Sequence, residues 1–233
     1  MNAARQIYDR LWREAIPRFE RGEPQTDPHL ADRAGDGRRS VTLALRPEPA
    51  VQMAVNRFLR QLAVAAPGQY FYRPEGLHVT ILAVIPGSEA WRDKIRDLAA
   101  IHAVISKVLR RRRPFVISFR GITASPDAVM IQGFPKNEAL MDIRDELREI
   151  LRKNQLGGDL DRRYKINTAH ITAMRFGSAR VDWKTFVDLL KANRRTDFGE
   201  TRARKLQLLW SDWYASARSV RTIQEYPLDD PVT

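Results

Sequence analysis

The sequence predicts an α+β fold built as two lobes. Strand-type and helix-type segments follow one another in similar order in both halves of the 233-residue chain, and the tripeptide His-x-Thr stands at or near the start of one strand-type run in each half. The length agrees, since a chain of this size forms one large domain or two small lobes and buries roughly 70 to 75% of its unfolded surface without covalent staples.

Residues 3–20 place Ile7, Leu11, Ile16 and Phe19 at helical spacing, which predicts an amphipathic helix lying on the body of the protein or on a partner. Residues 21–39 hold two prolines, three glycines and almost no apolar side chains, and read as an exposed linker. An N-terminal helix and linker over 1–39 are therefore expected to precede a single bilobal domain over 40–233. Val41, Leu43 and Leu45 alternate in a strand over Ser40–Arg46. A helix over Pro49–Ala65 follows, carrying Val51, Val55, Phe58, Leu59 and Leu62. Tyr70-Phe71-Tyr72 leads into a strand over His78–Ile85. Ser88 suits the N-cap of one long helix running to Leu109. In the second half, strand-type runs at Pro114–Ile122 and Ala128–Phe134 flank the turn former Ser125-Pro126-Asp127, and a helix over Asn137–Asn154 is stopped by Gly157-Gly158. A strand over Thr168–Phe176, a helix over Asp182–Asn193 and strands over Glu200–Trp213 and Ala217–Tyr226 complete the chain.

Composition excludes several chemistries. There is no cysteine, hence no disulfide framework, no thiolate nucleophile and no zinc ribbon. Only His and carboxylates could hold a metal, and neither His29 nor His102 has ligand spacing to a partner. No window approaches the ~18 apolar residues of a membrane span, and the N-terminus lacks a signal-peptide core, so a soluble cytoplasmic protein without membrane contact is expected. The formal charge of +12 comes from 40 basic against 28 acidic residues. It fits an anionic partner or a compositional bias. Arg makes up most of the basic residues and forks onto phosphate oxygens with two parallel bonds.

The informative feature is the pair His78-Val79-Thr80 and His170-Ile171-Thr172, 92 residues apart. Positions i and i+2 of a strand share a face, so each His stands beside its Thr. Val79, Ile81, Ala83 and Ile85, and Ala169, Ile171 and Ala173, are left on the opposite faces to pack on helices. Two imidazoles facing one groove can divide the work of phosphodiester cleavage, one taking a proton and the other giving one near neutral pH. The neighbouring hydroxyls can donate to the non-bridging oxygens as negative charge builds on them. The scheme requires no metal and no cofactor.

The segments GLHVTIL, preceded by Arg73-Pro74-Glu75, and AHITAMR, which ends on Arg175, resemble the two-histidine phosphoesterase superfamily. That superfamily includes bacterial 2′-5′ RNA ligases, RNA 2′,3′-cyclic phosphodiesterases and plant cyclic nucleotide phosphodiesterases. The resemblance spans roughly Val41 to Tyr226. It implies a bilobal fold of two pseudo-symmetric β-sheet lobes with outer helices and a central cleft. It also implies metal-independent chemistry on a 2′,3′-cyclic phosphate or a 2′-5′ linkage, with His78 and His170 as the acid/base pair, Thr80 and Thr172 as phosphate donors and Arg175 as a phosphate ligand. Alternation from His170 puts Arg175 on the far face unless the strand bulges or ends. The expected activity is a phosphodiesterase acting on nucleotides or RNA ends that carry a cyclic phosphate, working as a monomer. The alternatives are an RNA-binding module without turnover and an enzyme for a non-RNA cyclic phosphate such as that of ADP-ribose.

Further candidates carry two readings each. Tyr72 and its neighbours could stack on a base while Arg73 holds a flanking phosphate, or could pack into the core. Trp210, Trp213 and Tyr214 read as an edge of the core or as a base platform. Arg110–Arg113 complement a helix C-terminus or contact an RNA backbone. Arg162, Arg163 and Lys165 could steer phosphates toward the cleft, while Asp142, Asp145 and Glu146 read as a solvated helix face.

Overall fold

The computed structural model describes residues 3–156, 158–161 and 164–229. Its helices are α1 (Ala3–Glu20), α2 (Pro49–Ala65), a short α3 (Trp91–Lys94), α4 (Leu98–Leu109), α5 (Ala139–Lys153) and α6 (Trp183–Ala192). Its strands are β1 (Arg39–Leu45), β2 (Tyr70–Phe71), β3 (Val79–Ser88), β4 (Phe115–Ser125), β5 (Ala128–Pro135), β6 (Ile171–Arg175), β7 (Asp197–Ala203), β8 (Lys205–Asp212) and β9 (Arg221–Pro227). All nine strands join one antiparallel sheet in the order β7-β4-β5-β6-β3-β1-β8-β9, with β2 also on β6. The expected α+β class and bilobal arrangement hold.

The sheet reads the same from its middle outward. On one side of the β3–β6 junction stand β1, β8 and β9; on the other stand β5, β4 and β7. The unit β1-α2-β3 is thus mirrored in order by β5-α5-β6, each ending on a His-x-Thr strand. The helices cross over: α2 lies against β6 and β7, and α5 lies against β3. Only Arg204 separates β7, the strand at one end of the order, from β8, the last but one at the other, so the sheet curls to bring its two flanks together. The run expected as one strand over Glu200–Trp213 is therefore two strands in different lobes.

Alternation within the sheet is interrupted by bulges. On β3, Leu82 pairs with Leu43 but Thr80 pairs with Ala44, leaving Ile81 as an extra residue; a second extra residue is Val84. Consecutive side chains are buried at both places. This turns Ala83, expected on the packing face, toward the cleft. Ser88 caps no helix, because β3 continues through it to pair with Arg39. Its hydroxyl is buried without a partner among the described residues, and the expected long helix is broken into α3, a 3₁₀ turn over Ile95–Asp97 and α4. Gly157 of the predicted stop after α5 lies outside the described residues.

Residues 3–39 are tied to the body. Helix α1 buries Tyr8, Ala15, Ile16 and Phe19, with Phe19 among Phe176, Trp183 and Phe186. The segment read as an exposed linker is held by backbone bonds from Gln25 to Pro126 and from Asp27 to Phe176, and Asp36 within it is buried. Tyr8 reaches behind the second motif: its hydroxyl donates to the Gly133 carbonyl at 3.1 Å and accepts from the Gly133 N–H at 3.2 Å. A Cβ on Gly133 would stand 1.9 Å from the Ala169 carbonyl oxygen, one residue before His170. Gly133→Ala is accordingly expected to push that backbone away, costing about 1–3 kcal/mol in thermal or denaturant unfolding and lowering any activity that depends on His170. Unchanged stability and activity would show that the close approach does not matter.

Candidate active site

Two strands that begin one residue after a histidine, β3 and β6, lie antiparallel at the centre of the sheet and define the cleft. Val79 and Ile171 are cross-strand partners. Continuing that register sets His78 opposite Thr172 and Thr80 opposite His170, so that the imidazoles stand diagonally, with Cβ atoms roughly 7–8 Å apart by strand geometry. All four side chains are half-buried and line the same cleft. The pairing of each hydroxyl with the opposite motif's imidazole follows from the register alone.

The histidines have different anchors. His78 Nδ1 lies 2.8 Å from the Gly76 carbonyl oxygen. A carbonyl only accepts, so Nδ1 carries the proton and Nε2 is left for the cleft. His170 Nδ1 lies 2.8 Å from the Thr168 hydroxyl, which can either give or accept. Burial lowers the proton affinity of both rings. For His170 this loss is reinforced by the cations Arg144, His78 and Arg175, and its pKa is pushed down to about 4. For His78 burial and the charges of Arg46 and Arg175 act in the same direction, opposed by the Gly76 carbonyl.

Arg144 fixes both motifs from beneath. It is fully buried on α5 and donates to the carbonyls of Ile81 at 3.0 Å, Thr80 at 2.7 Å and Thr168 at 2.8 Å. The bulge at Ile81 thus finds its acceptors satisfied by the helix packed under it. Burial lowers the Arg144 pKa to about 10, which still leaves a fixed positive charge beside His170 at neutral pH. Arg148, one turn on, is also buried; it binds Asp145 on its own helix and reaches Asp161 and the Ile166 carbonyl in the segment that precedes β6. Neither arginine was singled out from the sequence. The signal was there, as two cations inside the apolar stripe of Leu140, Ile143, Leu147 and Leu151.

Arg175 comes to the cleft through a bulge. Thr172 pairs with Met130 and Met174 with Val129, leaving Ala173 as the extra residue, so Arg175 returns to the face of Thr172. Its Nε donates to the Tyr72 hydroxyl at 3.1 Å and its Nη1 to Asp127 at 2.8 Å. Burial works against the guanidinium charge, but Tyr72 and Asp127 outweigh it and hold its pKa above the ordinary value. Tyr72 is buried at the cleft wall, whereas Arg73 is exposed and does not line the cleft. The aromatic cluster divides likewise. Trp210 packs edge-on against Trp91 and Tyr214 is buried, but Trp213 lines the cleft. It is set between the guanidinium groups of Arg38 and Arg175, at 4.7 and 5.7 Å, and lies over Gly87, where a Cβ would meet its ring at 2.4 Å. Arg38 is held in turn by Asp36 and Asp27.

Arg46 also lines the cleft and was not anticipated, although it continues the alternating face of Ser40 and Thr42. Arg110–Arg113 and Lys165 do not line it. Arg112 binds the Val108 carbonyl and Glu146, and Lys165 pairs with Asp145. Arg162 and Arg163 lie outside the described residues. His29 is exposed in a 3₁₀ turn, and His102 bonds the Tyr226 hydroxyl. No helix among the described residues is long and apolar enough to cross a membrane.

No family model and no curated protein matches the chain by sequence. Solved structures do match its fold. TT0787 of Thermus thermophilus superposes with a TM-score of 0.60 at 18% identity, covering 81% of this chain and 97% of that one. A protein described as a phosphoesterase gives 0.54 at 14% identity, with coverage of 83% and 99%. Escherichia coli LigT in apo form gives 0.56 at 12% identity, again with 83% and 99%. The chain thus shares the fold of these structures, in agreement with the bilobal α+β arrangement that the resemblance of the paired motifs implied.

Proposed function

We propose that the protein is a phosphodiesterase that opens 2′,3′-cyclic phosphates by acid/base catalysis between His78 and His170, without a metal. The observation that carries this reading is the Val79–Ile171 pairing, which crosses the two His-x-Thr motifs over one cleft. A phosphate seated between them meets an imidazole on two sides and a hydroxyl beside each. His170, beside the buried charge of Arg144 that disfavours its protonated form, serves as the base. Its Nε2 takes a proton from water as the water oxygen bonds to phosphorus. His78 serves as the acid: the Gly76 carbonyl favours its protonated ring, and Nε2–H gives its proton to the ribose oxygen as the bond from phosphorus breaks. Thr80, Thr172 and Arg175 offset the charge gathered on the non-bridging oxygens. The product is a ribose phosphate monoester.

Nucleotides or RNA ends fit this site better than a long duplex, because Arg110–Arg113 do not line the cleft. Trp213 lines the cleft beside Arg175 and gives it an aromatic wall against which a nucleoside can pack. The similar E. coli LigT has been solved with ATP and with 3′-AMP, which agrees with a nucleotide ligand here.

The test is hydrolysis of adenosine 2′,3′-cyclic phosphate in excess EDTA. Undiminished turnover is expected, and complete loss in chelator would exclude the metal-free mechanism. The assigned roles also set a pH profile. Activity needs His170 deprotonated, so kcat/KM rises as pH passes about 4. It needs His78 protonated, and burial lowers that ring's pKa, so kcat/KM falls before pH reaches the ordinary imidazole value of about 6.5. A bell with an acidic optimum is expected; an optimum above neutrality would contradict the assignment.

A further inference from the structure

Arg46 holds an unused cation on one side of the cleft. Ala44 pairs with Thr80 and Leu45 with Val79, so the register carries Arg46 to a position across from His78. Its Nε donates to Gln207 Oε1 at 3.3 Å, which anchors the base of the fork, while its two terminal nitrogens have no hydrogen bond and no carboxylate within ion-pair distance among the described residues. Arg38 and Arg175, by contrast, are neutralised by Asp36 and Asp127. Holding a half-buried guanidinium without an ion pair costs free energy: burial depresses its pKa, and the charge of Glu75 offsets this only in part. The fold does not demand a cation here. In the other lobe the position across from His170 is Gln132, whose amide turns away to bond the Ile122 carbonyl at 2.7 Å.

We propose that Arg46 forms a second anion subsite, outside the His78 end of the cleft, for a phosphate other than the one being cleaved. The inference rests on the proposed phosphodiesterase reading and refines its substrate. Arg46 stands on β1, one strand further out than His78, roughly 5 Å beyond the imidazole pair. That is the side on which His78 protonates the departing ribose oxygen, so the nucleoside lies there and its 5′ substituent extends toward Arg46. A 5′-phosphate oxygen pair matches the free two-pronged end of the guanidinium. The ligand class is a nucleoside with its 2′,3′ phosphate at the histidines and a 5′-phosphate at Arg46, as a free nucleotide or as the last phosphodiester of an RNA end.

Calorimetric titration of the whole protein with adenosine 3′-phosphate, adenosine 3′,5′-bisphosphate and adenylyl-adenosine 3′-phosphate tests this without any turnover. The wild type is expected to bind a ligand with the second phosphate at least tenfold more tightly than adenosine 3′-phosphate. The ligand showing that gain identifies the source: the bisphosphate a free nucleotide, the dinucleotide an RNA end. In Arg46→Gln the ratio should fall to near one, and in Arg46→Lys, which keeps the charge but loses the fork, to an intermediate value. A ratio near one for both ligands in the wild type, or a ratio unchanged in Arg46→Gln and Arg46→Lys, overturns the subsite. Because these ligands resemble products, a preserved ratio in a protein that fails to hydrolyse cyclic phosphates would refute the phosphodiesterase reading and leave the anion subsite standing.

Discussion

His78→Ala and His170→Ala are each expected to cut hydrolysis of a 2′,3′-cyclic nucleotide by roughly a thousandfold, within the range that positioned acid/base groups supply. Because the two rings act on one transition state, the double variant should be little worse than either single one. The fold should survive, since His78 makes one bond to the Gly76 carbonyl and His170 one to the Thr168 hydroxyl. Stability supplies an independent readout for His170. Its pKa is near 6.5 in an unfolded chain and about 4 in the folded protein, so between those values the unfolded chain binds a proton that the folded one does not. Wild-type stability therefore falls as pH drops through that window. His170→Ala lacks this contribution and should lose less of its melting temperature between pH 7 and pH 4.5. Near-wild-type turnover in either single variant would remove that residue from the mechanism.

Arg144→Met is expected to have the next largest effect, and on two quantities at once. The substitution keeps a long apolar stem on α5 but strands the carbonyls of Thr80, Ile81 and Thr168, each of which currently accepts from the guanidinium. Buried acceptors left without partners cost about 1–3 kcal/mol each, so a loss of several kcal/mol is expected in denaturant unfolding. Loosening the two motif strands should also lower turnover. A purely structural role would stop there. Arg144 is in addition a fixed positive charge that depresses His170, so its removal should shift the acidic limb of kcat/KM to higher pH. If Arg144→Met folds and turns over with that limb unmoved, the electrostatic part of the role is wrong. Should that variant not fold, Arg144→Lys provides the complementary comparison: it keeps the charge and gives up the three-way bonding, so stability should fall while the acidic limb stays in place.

The paired motifs were legible because strand periodicity, residue chemistry and a twofold occurrence point the same way. What sequence periodicity could not supply is register. The extra residues Ile81, Val84 and Ala173 are bulges only relative to partners on β1 and β5, and those partners are fixed by the whole sheet. Hence Ala83 and Arg175 appeared on the wrong face while His78, Thr80, His170 and Thr172, which lie before the bulges, did not. The broken strand at Arg204 was hidden for a similar reason, since a single residue carries the chain from one lobe to the other without any turn signal. Ser88 misled because a good capping residue was absorbed by a strand whose partner was remote in sequence. The segment 21–39 is largely exposed, as its composition implied, but its anchors to the body were not legible because they are backbone bonds and a buried carboxylate, Asp36 with Arg38, rather than apolar side chains. Arg144 and Arg148 could have been noticed as charges within an apolar helical stripe, a pattern that requires buried partners.

The most direct test of the account follows the ring itself. Phosphorus NMR of adenosine 2′,3′-cyclic phosphate incubated with the protein should show the cyclic resonance replaced by that of a single monoester, because an acid fixed on one side of the phosphate protonates only one of the two ribose oxygens. The same incubation with His78→Ala or His170→Ala should leave the ring closed. A ring left intact by the wild type, or an equal mixture of 2′- and 3′-phosphates, would contradict the placement of His78 and His170 on opposite sides of the scissile phosphate.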